Sequence, residues 1–417
     1  MAILDLAALL LTLAAVFSYI NYRYIGLPTA IGIMLMAIVV SLGVVGLGYF
    51  GFEGVRTQAA EILGTIDFNI ALMHGMLSFL LFAGALHINL ADLADRKWII
   101  SILATVGLVT TTVIVGVVAW AVFGFLHIDI PFMYCLLFGA LISPTDPVAV
   151  LGIMKRAGVP KSLETKIVGE SLFNDGVAVV VFLVLAEIAT GGHDVTAGHV
   201  TLLFVEETLG GALFGFVIGW LTYWMLKNVD NYQVEVLLTL ALVMGGYALA
   251  RAIHVSGPIA MVVAGILIGN RGRLLAMSDK TRGHLDSFWD LMDEILNAVL
   301  FLLIGLEILL ITIEKNYIVA GLLMIPVVLG ARFISVGVPV TVMRRRRTFS
   351  PRAVRIMTWG GLHGGISVAL ALSLPAGDER DLLLTVTYVV VVFSIIVQGL
   401  TVGRLARTGS GVPDTGR

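Results

Sequence analysis

The chain has 417 residues, of which 59% are hydrophobic and 13% charged, and its mean hydropathy is +1.01, whereas soluble domains carry about 25% charged residues. That balance defines a polytopic membrane protein, and a formal net charge of -2 predicts no nucleic-acid partner. The lone cysteine, Cys135, excludes an internal disulfide and a cysteine-based metal centre.

A spanning helix needs ~20 apolar residues. A window of that length yields thirteen segments, at 4–21, 27–50, 69–90, 98–125, 131–154, 167–190, 200–226, 233–253, 257–270, 288–313, 317–343, 353–375 and 382–403. The first lacks a basic start and a small-residue cleavage site, so it reads as a retained helix and not a signal peptide. The ninth is short. An odd count puts the termini on opposite sides. Of the 26 basic residues, Arg56, Arg251, Lys315 and Arg380 follow even-numbered segments and Arg332 sits inside segment eleven; all others follow odd-numbered segments or lie in the tail. The positive-inside rule then predicts a cell-membrane (inner-membrane) protein with its N-terminus outside and its C-terminus cytoplasmic. The run Arg344 to Arg347 reads as a lipid-headgroup anchor.

Segments one to six and eight to thirteen match with an offset of seven, so each helix is antiparallel to its counterpart, as in inverted repeats. Segment five, interrupted by Pro144 and Pro147, then pairs with segment twelve, which carries Gly360-Gly-Leu-His-Gly-Gly365. Two broken helices at matching positions point to an ion site where they cross at the midplane. The expected fold is all-α, with about 13 transmembrane helices, inverted repeats and two broken helices.

Acidic residues within the spans are costly, roughly 2.5 to 3.5 kcal/mol at a helix centre, and point to ion or proton handling. Segment five holds Asp146 in Ser143-Pro-Thr-Asp-Pro147, where the prolines free backbone groups beside Thr145. In segment six, Ser171 and Asp175 share one face, and Glu170 and Asn174 stack about 100° around the helix. Arg332 cannot shed its charge, so it demands an acidic partner, and Glu170 is the candidate. Asp175 is then left without a fixed countercharge. A proton or a monovalent cation can neutralise it, each excluding the other, with Asp146, Thr145 and Ser171 supplying further oxygens. Such competition, joined to alternating exposure, is cation/proton exchange. No Walker-type phosphate loop and no protease-type catalytic spacing is present, so neither ATP hydrolysis nor enzymatic activity is expected. Structural roles remain open for Asp146, which can satisfy freed amides, and for Thr145 and Ser171, which can bond back to their own helices. Asn297, one turn from Asp293, and Glu307 read as helix-to-helix contacts.

Four segments carry a family resemblance. Ser-Pro-Thr-Asp-Pro-Val-Ala-Val at 143–150, Gly-Glu-Ser-Leu-Phe-Asn-Asp-Gly at 169–176, Leu-Asn-Ala-Val-Leu-Phe-Leu-Leu-Ile-Gly-Leu-Glu at 296–307 and Gly-Gly-Leu-His-Gly-Gly-Ile-Ser at 360–367 resemble the signatures of the monovalent cation/proton antiporters, in the prokaryotic electroneutral sodium/proton exchanger branch. The resemblance implies a homodimer in the lipid bilayer with a dimerisation scaffold (1–97 and 198–316), an ion-transport core (98–190 and 317–407) and a short cytoplasmic tail (408–417). It makes Asp175 the shared cation and proton carboxylate, with Thr145, Asp146 and Ser171 as co-ligands of the monovalent metal ion. It makes Asn174 a neutral site-shaping residue, and Glu170 with Arg332 the pair joining segments six and eleven. The implied activity is electroneutral one-for-one exchange of sodium, or lithium, for a proton, without a cofactor and serving pH homeostasis; a potassium/proton antiporter of the same fold and a cation channel are the alternatives. The lysine that marks the electrogenic branch is absent between Phe288 and Ile313. Two departures stand out. Ala71 to Leu90 contains no carboxylate, and His363 replaces the usual arginine, placing a group able to titrate near physiological pH in the second break.

Overall fold

A computed structural model describes the chain apart from residues 1–2, 65–67, 69, 147–153, 155–160, 190–196, 273–276, 312–313, 346–348, 350–351 and 411–417. Pro147, Arg346 and Arg347 and the last seven residues of the expected tail thus lie outside the described residues. The described residues form helices joined by short turns, with one isolated β-bridge.

α1 (Ile3–Ile20) leads through a π turn at Asn21–Ile25 to α2 (Thr29–Tyr49), and α3 (Glu53–Gly64) follows. α3 is additional to the thirteen expected segments. Glu53, Arg56 and Glu61 make it too polar for a spanning window, and most of its side chains are exposed. After a π turn at Ile70–Met76 comes α4 (Leu77–Leu86). α5 (Leu90–Ile102) runs through a π turn at Leu103–Gly107 into α6 (Leu108–Phe125). α7 (Phe132–Ile142), α8 (Lys161–Ala189), α9 (Ala197–Leu226) and α10 (Tyr232–Ala252) succeed one another. Then come α11 (Gly257–Leu267), α12 (Asp279–Leu306) and α13 (Lys315–Met343). α14 (Ala353–Trp359) and α15 (Gly365–Leu372) are short, and α16 (Asp378–Phe393) passes through a π turn at Ser394–Gln398 into α17 (Gly399–Ser410).

Helix starts follow side-chain chemistry. Asn89, Asn231, Ser256 and Ser278 each accept from backbone amides of the first turn of α5, α10, α11 and α12. Among the described residues eight helices are long and apolar enough to cross a bilayer, and shorter apolar helices occupy Ile70–Leu86, Phe132–Ile142 and Gly257–Gly272. The expected thirteen therefore do not all appear as full-length spans. Segment twelve is divided between α14 and α15, and the first half of α12 is too charged for a spanning window. Segment six starts six residues earlier than expected, at Lys161. The helix absorbs Lys166, read from sequence as a loop residue, by laying its ammonium 4.4 Å from the Phe349 ring centroid.

Packing divides between large aromatics and small residues. Trp289 of α12 is fully buried against Phe82 of α4, ring centroids 4.7 Å apart, and its indole N–H donates to Thr239 Oγ1 of α10 at 3.1 Å. α9 presents Gly211, Gly215 and Gly219, four apart, to Ser256, Ala260 and Ala264 of the α11 region. A side chain at Gly215 would strike the Ala260 backbone, so the two helices approach as only small residues permit.

Candidate ion-binding site

α7 stops at Ile142, where Pro144 offers no amide hydrogen to carry the helical ladder on, although Ser143 itself keeps helical dihedrals (φ -70°, ψ -37°). The Ser143 hydroxyl turns back to the Gly139 carbonyl at 2.6 Å and meets Thr112 Oγ1 of α6 at 3.1 Å. In the second broken segment, α14 ends at Trp359 and α15 begins at Gly365. The two interruptions cross: the Asp146 amide donates to the Leu362 carbonyl at 2.6 Å, forming the isolated antiparallel bridge.

Other groups freed by the breaks are satisfied from the π turn at Ser394–Gln398. The His363 amide donates to Ser394 Oγ at 3.0 Å, and the Gln398 side-chain amide donates to the Trp359 carbonyl at 3.0 Å. The π turn slips the helical register, aiming both polar side chains at the broken segment, a use to which such turns are often put. His363 is buried, with Nδ1 3.2 Å from the Pro144 carbonyl. In this conformation it ties the two breaks together.

Beside the crossing, α8 contributes a polar face. Ser171 Oγ lies 3.0 Å from Thr145 Oγ1, and the Asn174 side-chain amide donates to Thr145 Oγ1 at 3.2 Å. Asp175, one turn beyond Ser171, is buried, and its Oδ1 has no hydrogen-bond partner. Asp146 is half-buried and within electrostatic reach of Asp175. The structure thus gathers Thr145, Asp146, Ser171, Asn174 and Asp175 around the first break.

The charged pair stands one step away. Arg332 Nη1 lies 2.5 Å from Glu170 Oε1, with both side chains buried. A methyl group at Gly361 would come 2.7 Å from Arg332 Nε, so the guanidinium rests on the glycine backbone. A methyl at Gly364 would likewise come 2.7 Å from Asp146 Cβ. The glycines that interrupt the second helix therefore also make room for an arginine on one side and an aspartate on the other.

Sequence reasoning missed these two seats, and it missed Asp293. That α12 carboxylate is within electrostatic reach of Asp146, while Asn297 donates back to the Asp293 carbonyl at 2.8 Å. An acid within a spanning segment was the available signal. Its neighbour across the fold was not visible.

The assembled groups are hard oxygen donors with two carboxylates, suited to a small monovalent cation or a proton as cargo. The profile described as sodium/hydrogen exchanger, transmembrane, matches residues 10–408. The chain belongs to the sodium/hydrogen exchanger family. It is 52% identical over 408 residues to the Na(+)/H(+) antiporter NhaP of Pseudomonas aeruginosa, covering 97% of this chain and 96% of that protein. It is 35% identical over 387 residues to the Na(+)/H(+) antiporter NhaH of Halobacillus dabanensis, covering 91% of each. Its fold matches that of the sodium proton antiporter of Methanocaldococcus jannaschii at pH 8, with a TM-score of 0.74 and 19% identity over 97% of this chain and 98% of the other. As an exchanger-family member it is a multi-pass membrane transporter and not an enzyme.

Proposed function

We propose that the protein exchanges sodium for protons, one for one and electroneutrally, by alternating access of the site at Asp175. The observation that carries this reading is a buried carboxylate with an unpartnered oxygen beside two hydroxyls and a second carboxylate. A dehydrated cation needs oxygen ligands in place of its water. Asp175, Asp146, Thr145 and Ser171 offer them, and protonation of Asp175 removes the charge that holds the cation. Asn174 adds a dipole without adding charge. Glu170 and Arg332 neutralise each other and take no part in the exchange. His363 acts by holding the breaks together, through its ring against the Pro144 carbonyl and its backbone amide on Ser394.

In this scheme residues 98–190 and 317–407 form the mobile core, and residues 1–97 and 198–316 form the scaffold of a homodimer in the cell membrane. The N-terminus faces outward and the C-terminus the cytoplasm. Sodium is favoured over lithium and potassium because the similar proteins bear the name Na(+)/H(+) antiporter.

The test is a fluorescence-dequenching assay in inside-out vesicles, adding each alkali chloride in turn. Sodium should release the proton gradient, and Asp175→Asn, which keeps the shape and removes the charge, should abolish the response. Wild-type exchange in Asp175→Asn would overturn the assignment. A response to potassium alone would move it to potassium/proton antiport, and flux far above exchanger rates would indicate a channel.

A further inference from the structure

A cavity of about 610 Å³ lies between α13, α14 and α17 and shares no lining residue with the ion site. Its walls include Phe333, Trp359 and Leu405, and Arg355 and Arg404 also line it. Phe333 is 54% exposed although its neighbour Arg332 is buried, so this flank of α13 faces away from the protein interior. Trp359 is held in place by its indole N–H, which donates to Thr401 Oγ1 at 2.8 Å. The Thr358 hydroxyl, on a buried side chain lining the same cavity, has no hydrogen-bond partner.

The dimensions describe a ligand. α13 ends at Met343, followed by exposed Arg344 and Arg345, which mark a membrane surface. Phe333 lies ten residues before that end, or ~15 Å at the helical rise. That is half of a hydrocarbon layer roughly 30 Å thick, the reach of one acyl chain. Arg355, near the start of α14, and Arg404, near the end of α17, are both exposed. Among the described residues that line the cavity, none is a carboxylate. Two guanidiniums therefore stand beside an apolar channel that runs towards the middle of the layer. Planar guanidinium forks suit phosphate oxygens, and a small soluble anion would leave the aromatic walls uncovered.

We propose that this groove binds an anionic phospholipid, with its phosphate between Arg355 and Arg404 and one acyl chain along Trp359 and Leu405 to Phe333. The lipid would brace α14, the half-helix that leads into Gly361 and Leu362, against α13 and α17.

The test uses the full chain, purified in detergent and stripped of lipid, with bound lipid counted by native mass spectrometry and stability followed by melting. Phosphatidylglycerol and phosphatidylcholine with the same acyl chains are compared, with inorganic phosphate as a third arm. The expected result is a preference for phosphatidylglycerol on the order of tenfold or more, from two arginine contacts. Arg355→Ala/Arg404→Ala should remove the preference, and Arg23→Ala/Lys227→Ala, at exposed basic residues outside the groove, should retain it. Equal retention of the two lipids, or a preference that survives in Arg355→Ala/Arg404→Ala, would overturn the proposal. So would a melting rise with inorganic phosphate equal to that with phosphatidylglycerol. If the double variant does not fold, brominated phosphatidylglycerol supplies the decision in folded protein: it should quench wild-type fluorescence more than Trp359→Phe fluorescence. Equal quenching in the two would reject the groove.

Discussion

Arg332→Leu probes the buried ion pair between α8 and α13. The guanidinium and the Glu170 carboxylate are 2.5 Å apart and both buried, so removing the cation leaves a carboxylate that neither water nor another partner compensates. Breaking such a pair from one side costs about 3 to 5 kcal/mol. At 1.4 kcal/mol per tenfold, the folded-to-unfolded ratio falls by about a hundred- to a few-thousand-fold. Glu170→Gln should also destabilise, since it strands the arginine. The double variant Glu170→Gln/Arg332→Leu removes both charges and should recover part of the loss, with a coupling of about 0.5 to 3 kcal/mol. Gly361→Ala offers an independent check. Its methyl would sit 2.7 Å from Arg332 Nε, so it should destabilise the wild type and cost much less once Arg332 is leucine. Thermal melting in detergent, read by fluorescence-detected gel filtration, measures all of these. Single variants that melt with the wild type, or a double variant whose loss is the sum of the two singles, would refute the reasoning.

Three further outcomes follow from the site. Gly364→Ala brings a methyl to 2.7 Å from Asp146 Cβ and should lower exchange in the vesicle assay severely, whereas Gly43→Ala, with open space around it, should not; equal activities would mean that Asp146 tolerates displacement. Asn174→Ala removes a neutral donor to Thr145 and should keep some exchange with weaker cation affinity, measured as the half-saturating sodium concentration; complete loss at unchanged affinity would give Asn174 a direct part in transport. One-for-one exchange leaves the loaded site with the same charge in both directions, so a membrane potential, worth about 2.3 kcal/mol per charge per 100 mV, should not move the reversal point in proteoliposomes clamped with valinomycin and potassium. A reversal point that shifts with voltage would mean that Asp146 or Asp293 also carries protons.

The parts legible in the sequence are those where an apolar run makes one residue type costly. Asp175, Glu170 and Arg332 stand out because a charge in a spanning helix needs a reason, and helical spacing alone sets Ser171 and Asp175 on one face. The hydrogen bonds among Thr145, Ser171 and Asn174 depend on how far the break lets the chain turn towards α8, which composition does not encode. The same holds for Ser394 and Gln398. Their segment reads as an ordinary apolar span, and only the π turn, a slip in register too small to alter the hydropathy pattern, aims them at the second break. Lys166 and α3 were obscured for the opposite reason, because charge suggested a loop where helical structure persists.

The bridge between Asp146 and Leu362 is drawn entirely from main-chain atoms. Substitution at 146 cannot delete its donor unless proline is introduced, and no side-chain change at 362 removes its acceptor. The crossing is thus insulated from the chemistry it displays. Side chains at 145, 146 and 363 can be exchanged, and cargo preference or pH response retuned, while the rung beneath them persists. The arrangement separates what the protein is built on from what it is tuned by, giving mutation a place to vary function without first dismantling architecture.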